Sequence, residues 1–225
     1  MILYVNGDSH TAAAEAVNPH AFAMDDGDLF YMGRAPHPAN LAVSWGKLLS
    51  QSLRASFHCG AESASSNSRI VRTTREWLST TPRREQLLVV IQWSTWEREE
   101  WLHNDTYYQV GSSGIDDIPT ELQKKYKHFV IDTDWQTKTE QAHKEIWEFH
   151  NELQDQNIKH IFFNSEQPVS DQHDWGTNYI RETYTAKIQD AKIETVSPNS
   201  KHFGKNGHSI WNRFLLNHII TNNFI

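Results

Sequence analysis

The chain has 225 residues with 28 acidic and 21 basic side chains, a formal net charge of -7, and that balance argues against sequence-independent binding along a nucleic-acid backbone, which takes a basic patch. Mean hydropathy is -0.66, and the apolar runs are a few residues long, far short of the roughly 20 that cross a bilayer as a helix. One cysteine, Cys59, excludes an intramolecular disulfide framework and fits a reducing compartment.

The N-terminus carries neither the basic region nor the long apolar stretch of a secretory signal, so a cytoplasmic location is expected. Ile2, Leu3, Tyr4 and Val5 are apolar and β-prone and predict a buried strand. It stops at Gly7-Asp8-Ser9, and Ala12, Ala13, Ala14 and Glu15 favour a helix. Residues 18–40 open with a stretch rich in Asp, Gly, His and Pro that predicts an inserted surface loop. Asn40 can cap a helix whose apolar positions are Leu41, Trp45, Leu48, Leu49 and Leu53. Residues 55–59 predict a second strand. A loop of small residues, 60–66, then feeds a helix with Ile70, Val71, Thr74, Trp77 and Leu78 on one face, and Pro82 stops it. Residues 87–91 are the clearest central strand, continuous and β-branched. Residues 103–135 are polar, broken by Gly111, Gly114 and Pro119, and predict a second insertion, read as a lid. Asp134 or Thr137 caps a long helix that turns Ala142, Ile146, Phe149, His150 and Leu153 inward. Residues 161–163 are the next strand and residues 192–196 a weaker last one. A final helix from about Lys205 puts Ile210, Trp211, Phe214, Leu215, His218 and Ile219 on one stripe. Alternating strands and helices imply a parallel sheet covered on both faces. The predicted architecture is one three-layer α/β domain over residues 1–225, with about five parallel strands, helices on both faces and two loop insertions. Arg83-Arg84 and Lys124-Lys125 are short basic clusters that read as solvated surface.

A strand that stops at Gly-Asp-Ser and turns into a helix puts Ser9 at the carboxyl edge of a sheet, where open α/β sheets bind their ligands. A helix start adds free backbone N–H groups, which suit a developing anion. Serine needs a base to act as a nucleophile at neutral pH, and histidine is the usual one. With 13 histidines in the chain, position selects rather than presence. His202 sits in the loop 198–208, between the last predicted strand and the last helix, and that loop is expected on the same sheet edge as Ser9. Plainer roles stand beside these. Ser9 can cap its helix, His202 can be a loop histidine without function, and His208 can pack at a helix start. Asp8 reads as a turn or interior hydrogen-bonding group. Arg69 and Arg72 read as ion-pair residues that could meet an anionic substrate if they lie near the site.

Gly7-Asp8-Ser9 near the N-terminus, with a late His202-Phe203-Gly204-Lys205-Asn206-Gly207-His208 loop before a C-terminal helix, resembles the SGNH (GDSL-type) hydrolase family over nearly the whole chain. Residues 64–74 are similar to the second conserved block, most of all in phage-encoded members, and residues 91–95 fall where the third block belongs. The resemblance implies a flavodoxin-like sheet and hydrolysis of esters or thioesters, often acetyl groups on carbohydrates. It implies Ser9 as nucleophile and His202 as general base. The acid place, three residues before the histidine, holds Asn199. The oxyanion donors would be the Ser9 N–H, the second-block position at Ala64 (Gly60 is the other alignment) and the third-block position, where Ser94 stands in place of an asparagine.

Asn199 can hold an imidazole tautomer but supplies no charge, and in serine proteases the same exchange costs roughly ten-thousand-fold in turnover. The expected function is ester hydrolysis, on an acyl or O-acetyl group carried by a small molecule or a glycan. The alternative is a catalytically degenerate member, a binding or virion-associated structural protein, in which Trp96, Trp101, Tyr107 and Tyr108 stack on sugars or pack on a partner. No cofactor or metal is expected, because no His-Glu-x-x-His, Cys-x-x-Cys, EF-hand or phosphate-loop pattern occurs. A second copy of the chain or a virion component are the protein partners left open, with nucleic acid and membrane not expected. A phage-encoded protein would reside in the host cytoplasm or the virion.

Overall fold

In a computed structural model, which describes residues 1–23, 32–81, 84–111, 114–115, 118–169 and 173–225, five strands form one parallel sheet. They are β1 (Ile2–Asn6), β2 (Ser56–Cys59), β3 (Leu87–Trp93), β6 (Lys159–Asn164) and β7 (Tyr179–Ile180), in the order β2-β1-β3-β6-β7. The strand that the sequence marks as central is central: all seven residues of β3 are buried. Its side chains divide by the period of two that a pleated strand imposes. Leu87, Val89, Ile91 and Trp93 join one core layer, Leu88 and Val90 the other. Helices α4 (Asn67–Thr80) and α6 (Trp135–Asp155) cover the first face through Ile70, Val71, Phe149 and Leu153. Helices α3 (Trp45–Ser52) and α8 (Lys205–Thr221) cover the second through Trp45, Leu49, Trp211 and Leu215. This is the expected three-layer parallel α/β architecture.

Four expectations are corrected. The helix after Ser9 is only α1 (Ser9–Ala12), because Ala13 and Glu15 both take left-handed backbone. The helix expected from Asn40 is two: α2 (Pro38–Ala42) and α3, the latter capped by the Ser44 hydroxyl. Asn40 instead lies buried and pins the preceding loop, accepting the Val17 and Asn18 N–H groups and donating to the Asn18 and His20 carbonyls. The stretch 99–135 is more ordered than a lid. It holds an antiparallel hairpin of β4 (Glu99–His103) and β5 (Thr106–Val110), followed by α5 (Gln123–Asp132), with a small core of Trp101, Val110, Ile118 and Tyr126. The fifth strand is β7, not residues 192–196, which make only an isolated bridge, Thr195 to Phe203, after helix α7 (Tyr184–Asp190). Pro82, Arg83 and residues 24–31 of the first insertion lie outside the described residues.

His150 and His160 meet in the first core layer. The His160 Nδ1–H donates to the Ile158 carbonyl (2.8 Å), so the His160 Nε2 accepts from the His150 Nδ1–H (2.8 Å). Burial pushes the His160 imidazole down to about 4. A folded-state value below the unfolded 6.5 means that the unfolded chain takes up the proton first. Stability is then complete above pH 6.5 and falls as pH drops toward 4, by roughly 3 kcal/mol from this residue. Urea unfolding at stepped pH should show that decline. His160→Phe should weaken the fold at pH 7 and flatten the decline; an unchanged slope would remove His160 as its source.

Candidate active site

Ser9 is carried to the carboxyl edge of the sheet by the abrupt end of β1. Asn6 anchors that end, its buried amide donating to the Ile70 carbonyl and the Thr74 hydroxyl on α4. Gly7 must be glycine, because a Cβ there would run into the Thr11 hydroxyl and the Gln92 side chain. Asp8 caps the one-turn helix by accepting the His10 N–H (3.0 Å). Gln92, at the end of β3, accepts from the Thr11 hydroxyl (2.9 Å) and the Asp8 N–H (3.3 Å). Ser9 therefore opens the helix rather than capping it. Neither its hydroxyl nor its N–H has a hydrogen-bond partner among the described residues, which leaves both for a ligand.

Ala64 lies in the wall of the same cavity, and its N–H is likewise without a partner among the described residues. The loop that presents it is fixed by a buried ion pair, Arg69 to Glu62 at 2.6 Å, and by Arg69 bonds to the Gly60 carbonyl and Ser65 hydroxyl. Glu62 also accepts the Gly33 and Arg34 N–H groups. Arg69 is thus occupied in structure, and Arg72 pairs with Glu100 and Glu76. The backbone of Ala64 is left-handed, φ 63°, a conformation that costs an L-residue roughly 1–2 kcal/mol. Glycine is free of that strain but loses more entropy on folding. Ala64→Gly should therefore raise stability by up to about 1 kcal/mol in urea unfolding, and a lower midpoint would show that the strain is absent.

Ser94, at the third-block place, is buried. Its backbone pairs reciprocally with Asn67: the Ser94 N–H donates to Asn67 Oδ1 (2.8 Å) and Asn67 Nδ2 donates to the Ser94 carbonyl (3.2 Å). Its hydroxyl donates to Asp8 Oδ2 (3.1 Å) and accepts from Arg98 (3.0 Å). The single hydroxyl proton is therefore directed at a carboxylate and not into the cavity.

His202 shares the cavity wall with Ser9. Its Nδ1–H donates to Glu15 Oε2 at 2.6 Å, and Glu15 Oε2 also accepts the Ser200 hydroxyl at 2.5 Å. The His202 N–H in turn donates to Ser200 Oγ (3.0 Å). A carboxylate only accepts, so Nδ1 carries a proton, and in the neutral ring Nε2 is then the acceptor. Partial burial works against the Glu15 charge, but the bonds from Ser200 and His202 outweigh it and hold the carboxyl below its usual range. Asn199, at the expected acid place, is exposed and makes no hydrogen bond among the described residues. The carboxylate that meets His202 is that of Glu15, six residues after Ser9, on left-handed backbone at φ 62°. Ser9 and His202 are not hydrogen-bonded to each other here. Such contacts are often long without substrate.

The cavity holds about 500 Å³ and its wall is polar, with Asp8, Glu97, Arg98, Glu166 and Lys201 around Ser9 and His202. Among its described lining residues there is no large aliphatic side chain. His10, next to Ser9 in sequence, stands edge-on to His202 with ring centroids 5.4 Å apart, and burial pushes it down to about 4, so it is neutral at pH 7. His208 lies outside this wall. It is buried, accepts the Trp45 N–H, and ties α8 to α3. Trp101 is buried in the hairpin core and Trp96 is nearly so, which leaves neither as an open sugar platform. No group of three or more His, Cys, Asp or Glu that could hold a metal occurs among the described residues.

No curated protein sequence matches this chain. Among solved structures, the psychrotrophic esterase EstA of Pseudoalteromonas sp., inhibited by monoethylphosphonate, is 9% identical over 100% of this chain and 99% of its own, with a TM-score of 0.52. A protein assigned to the G-D-S-L lipolytic family from Desulfitobacterium hafniense DCB-2 is 13% identical over 97% of this chain and 99% of its own (TM-score 0.48). A G-D-S-L family member from Veillonella parvula DSM 2008 is 11% identical over 96% and 97% (TM-score 0.49). At such identities the likeness is one of fold alone, the three-layer α/β fold shared with EstA. A sequence-family model covers residues 37–159, more than half of the chain; it takes in Ala64, Ser94 and Arg98 and leaves Ser9, Glu15 and His202 outside. The chain belongs to the family that this model describes, a family of unknown function designated DUF6071.

Proposed function

We propose that the protein is a serine hydrolase that removes short acyl groups, acetyl above all, from the hydroxyls of a polar alcohol such as a glycan. The single observation that carries this reading is the His202 imidazole, held through Nδ1 by Glu15 at 2.6 Å, in one cavity wall with a Ser9 whose hydroxyl has no partner among the described residues. That pairing orients a base and leaves its Nε2 free for a proton. Ser9 Oγ bonds to the ester carbonyl carbon as its proton passes to His202 Nε2. The carbonyl electron pair moves onto oxygen, where the Ser9 and Ala64 N–H groups meet it. As the alcohol C–O bond breaks, the pair returns and the Nε2 proton goes to the leaving oxygen. Water repeats the sequence on the acyl-Ser9, giving the free acid and the starting enzyme. The polar wall, with no large aliphatic side chain among its described residues, suits a small acyl group and a hydroxyl-rich leaving group. EstA, similar in fold, is an esterase.

A fluorophosphonate probe tests the reading. It should label the wild-type chain at Ser9, and p-nitrophenyl acetate should turn over at least tenfold faster than the decanoate. Absence of both labelling and turnover would favour the non-catalytic alternative, and a preference for decanoate would overturn the substrate class.

A further inference from the structure

We infer that the Arg98 guanidinium is the third donor to the oxyanion, taking the place that Ser94 cannot fill; this rests on the hydrolase reading above. An oxyanion hole works when its donors are fixed before the charge appears. Two donors are backbone groups, the N–H of Ser9 and that of Ala64. The third-block side chain is disqualified, because the Ser94 hydroxyl proton faces the Asp8 carboxylate. What lies on the far side of that hydroxyl is Arg98. Its NH1 donates to Ser94 Oγ at 3.0 Å and to Asp8 Oδ2 at 3.1 Å. Both bonds use the same nitrogen. The Nε–H and both NH2 hydrogens of Arg98 have no partner among the described residues, and the side chain, 28% exposed, lies in the wall of the Ser9 cavity.

The carboxylate that holds this guanidinium is the residue before the nucleophile. Asp8 is 2% exposed. Burial works against its charge, and the neighbouring His10 and Arg98, with bonds from the His10 N–H and the Ser94 hydroxyl, outweigh it and hold the carboxyl below its usual range. Because His10 is neutral at pH 7, Arg98 is the cation that matters there. Asp8 thus fixes one nitrogen of a planar fork in the wall of the Ser9 cavity and leaves the others without a partner among the described residues. A guanidinium so fixed is always charged and needs no reorganisation as the oxyanion forms. It adds charge where an asparagine would add only a dipole, and charge-assisted bonds are the stronger kind. As the Ser9 Oγ–carbon bond forms and the carbonyl pair moves to oxygen, the new charge is met by two backbone N–H groups and one guanidinium N–H. The pair returns to carbon when the alcohol leaves, and Arg98 gives up no proton at any stage.

The competing role for Arg98 is to neutralise buried Asp8 and nothing more. A comparison in the Asp8→Asn background separates the two, since no buried charge then remains to be neutralised. With p-nitrophenyl acetate and the full chain, Arg98→Gln should lower kcat about 100- to 1000-fold with KM within threefold. Asp8→Asn/Arg98→Gln should stay about 100-fold or more below Asp8→Asn alone. Thermal melts identify which variants are folded, and if Arg98→Gln is not, the double variant, which buries no lone carboxylate, carries the comparison. A double variant within tenfold of Asp8→Asn, or a loss that appears in KM alone, overturns the proposal. Wild-type labelling by the fluorophosphonate with intact Arg98→Gln turnover sinks this inference and leaves the hydrolase reading standing. A wild type that neither labels nor turns over sinks both.

Discussion

Ser9→Ala should lower turnover of p-nitrophenyl acetate by about a million-fold, and His202→Ala should do the same, with no further loss when both are changed. The expectation follows from the roles. A serine without a base is a weak nucleophile at neutral pH, and a base without the serine has no proton to take. Removing either ends the same step, so the free energies do not add. The fold should be indifferent to the first change. The Ser9 hydroxyl makes no hydrogen bond among the described residues, and the end of β1 is held by Asn6, Asp8 and Gln92 instead. The Ser9→Ala melting temperature should therefore lie within about two degrees of wild type, since Ser9 is buried but the hydroxyl removed leaves no partner unsatisfied among the described residues. Equal and additive partial losses would show that Ser9 and His202 act in separate steps, and full activity in either variant would remove it from the mechanism.

The sheet, and the meeting of Ser9 and His202 at one cavity, are legible in the sequence because their signals are local. β1 and β3 are short apolar runs bounded by turns, α4 and α8 carry apolar positions at helical spacing, and Ser66 and Asp134 cap their helices as their residue types suggest. The hairpin had a readable signal that was missed. Asn104-Asp105 both take left-handed backbone, the requirement of a two-residue hairpin turn, between strands rich in Trp and Tyr. The last strand had none. β7 is two residues long, too short for any periodicity, and is placed by its partners: the Tyr179 hydroxyl donates to Asn164 Oδ1 and accepts the Val169 N–H. Residues 192–196 alternate like a strand, but Lys192 turns left-handed and the segment leaves the sheet. The resemblance implies an acid at the place of Asn199, three residues before His202, and a pattern within one loop says nothing of a carboxylate that arrives from the other end of the chain. Arg98 escaped notice because it belongs to no motif and reaches Asp8 across 90 positions.

Glu15→Gln should lower kcat by about 100- to 10,000-fold, while Asn199→Asp should change it by less than about twofold. The upper limit is the cost of exchanging a triad acid for its amide in a buried site. The lower limit reflects the Glu15 side chain, which is 35% exposed and therefore partly screened by water. The amide keeps the length of the side chain but not its charge, so the imidazolium formed as Ser9 loses its proton faces a dipole instead of a carboxylate. It can also present an N–H to Nδ1, which favours the tautomer with the proton on the wrong nitrogen. Backbone strain points the same way. Ala13 and Glu15 both hold left-handed backbone within three residues, at φ 57° and 62°, and strain of this kind persists where the surroundings over-determine it, often at functional sites. Because the Glu15 carboxyl is held below its usual range, the charge is complete at neutral pH. It is lost only as pH falls through that lowered value, so the Glu15-dependent part of stability should survive mild acid and begin to fade below about pH 4.5. The readout that a merely structural Glu15 would not produce is a fall in kcat with KM and melting temperature held. If Glu15→Gln turns over like wild type and Asn199→Asp speeds the reaction, the charge belongs beside His202 at position 199, and the Glu15 contact is only a loop clasp.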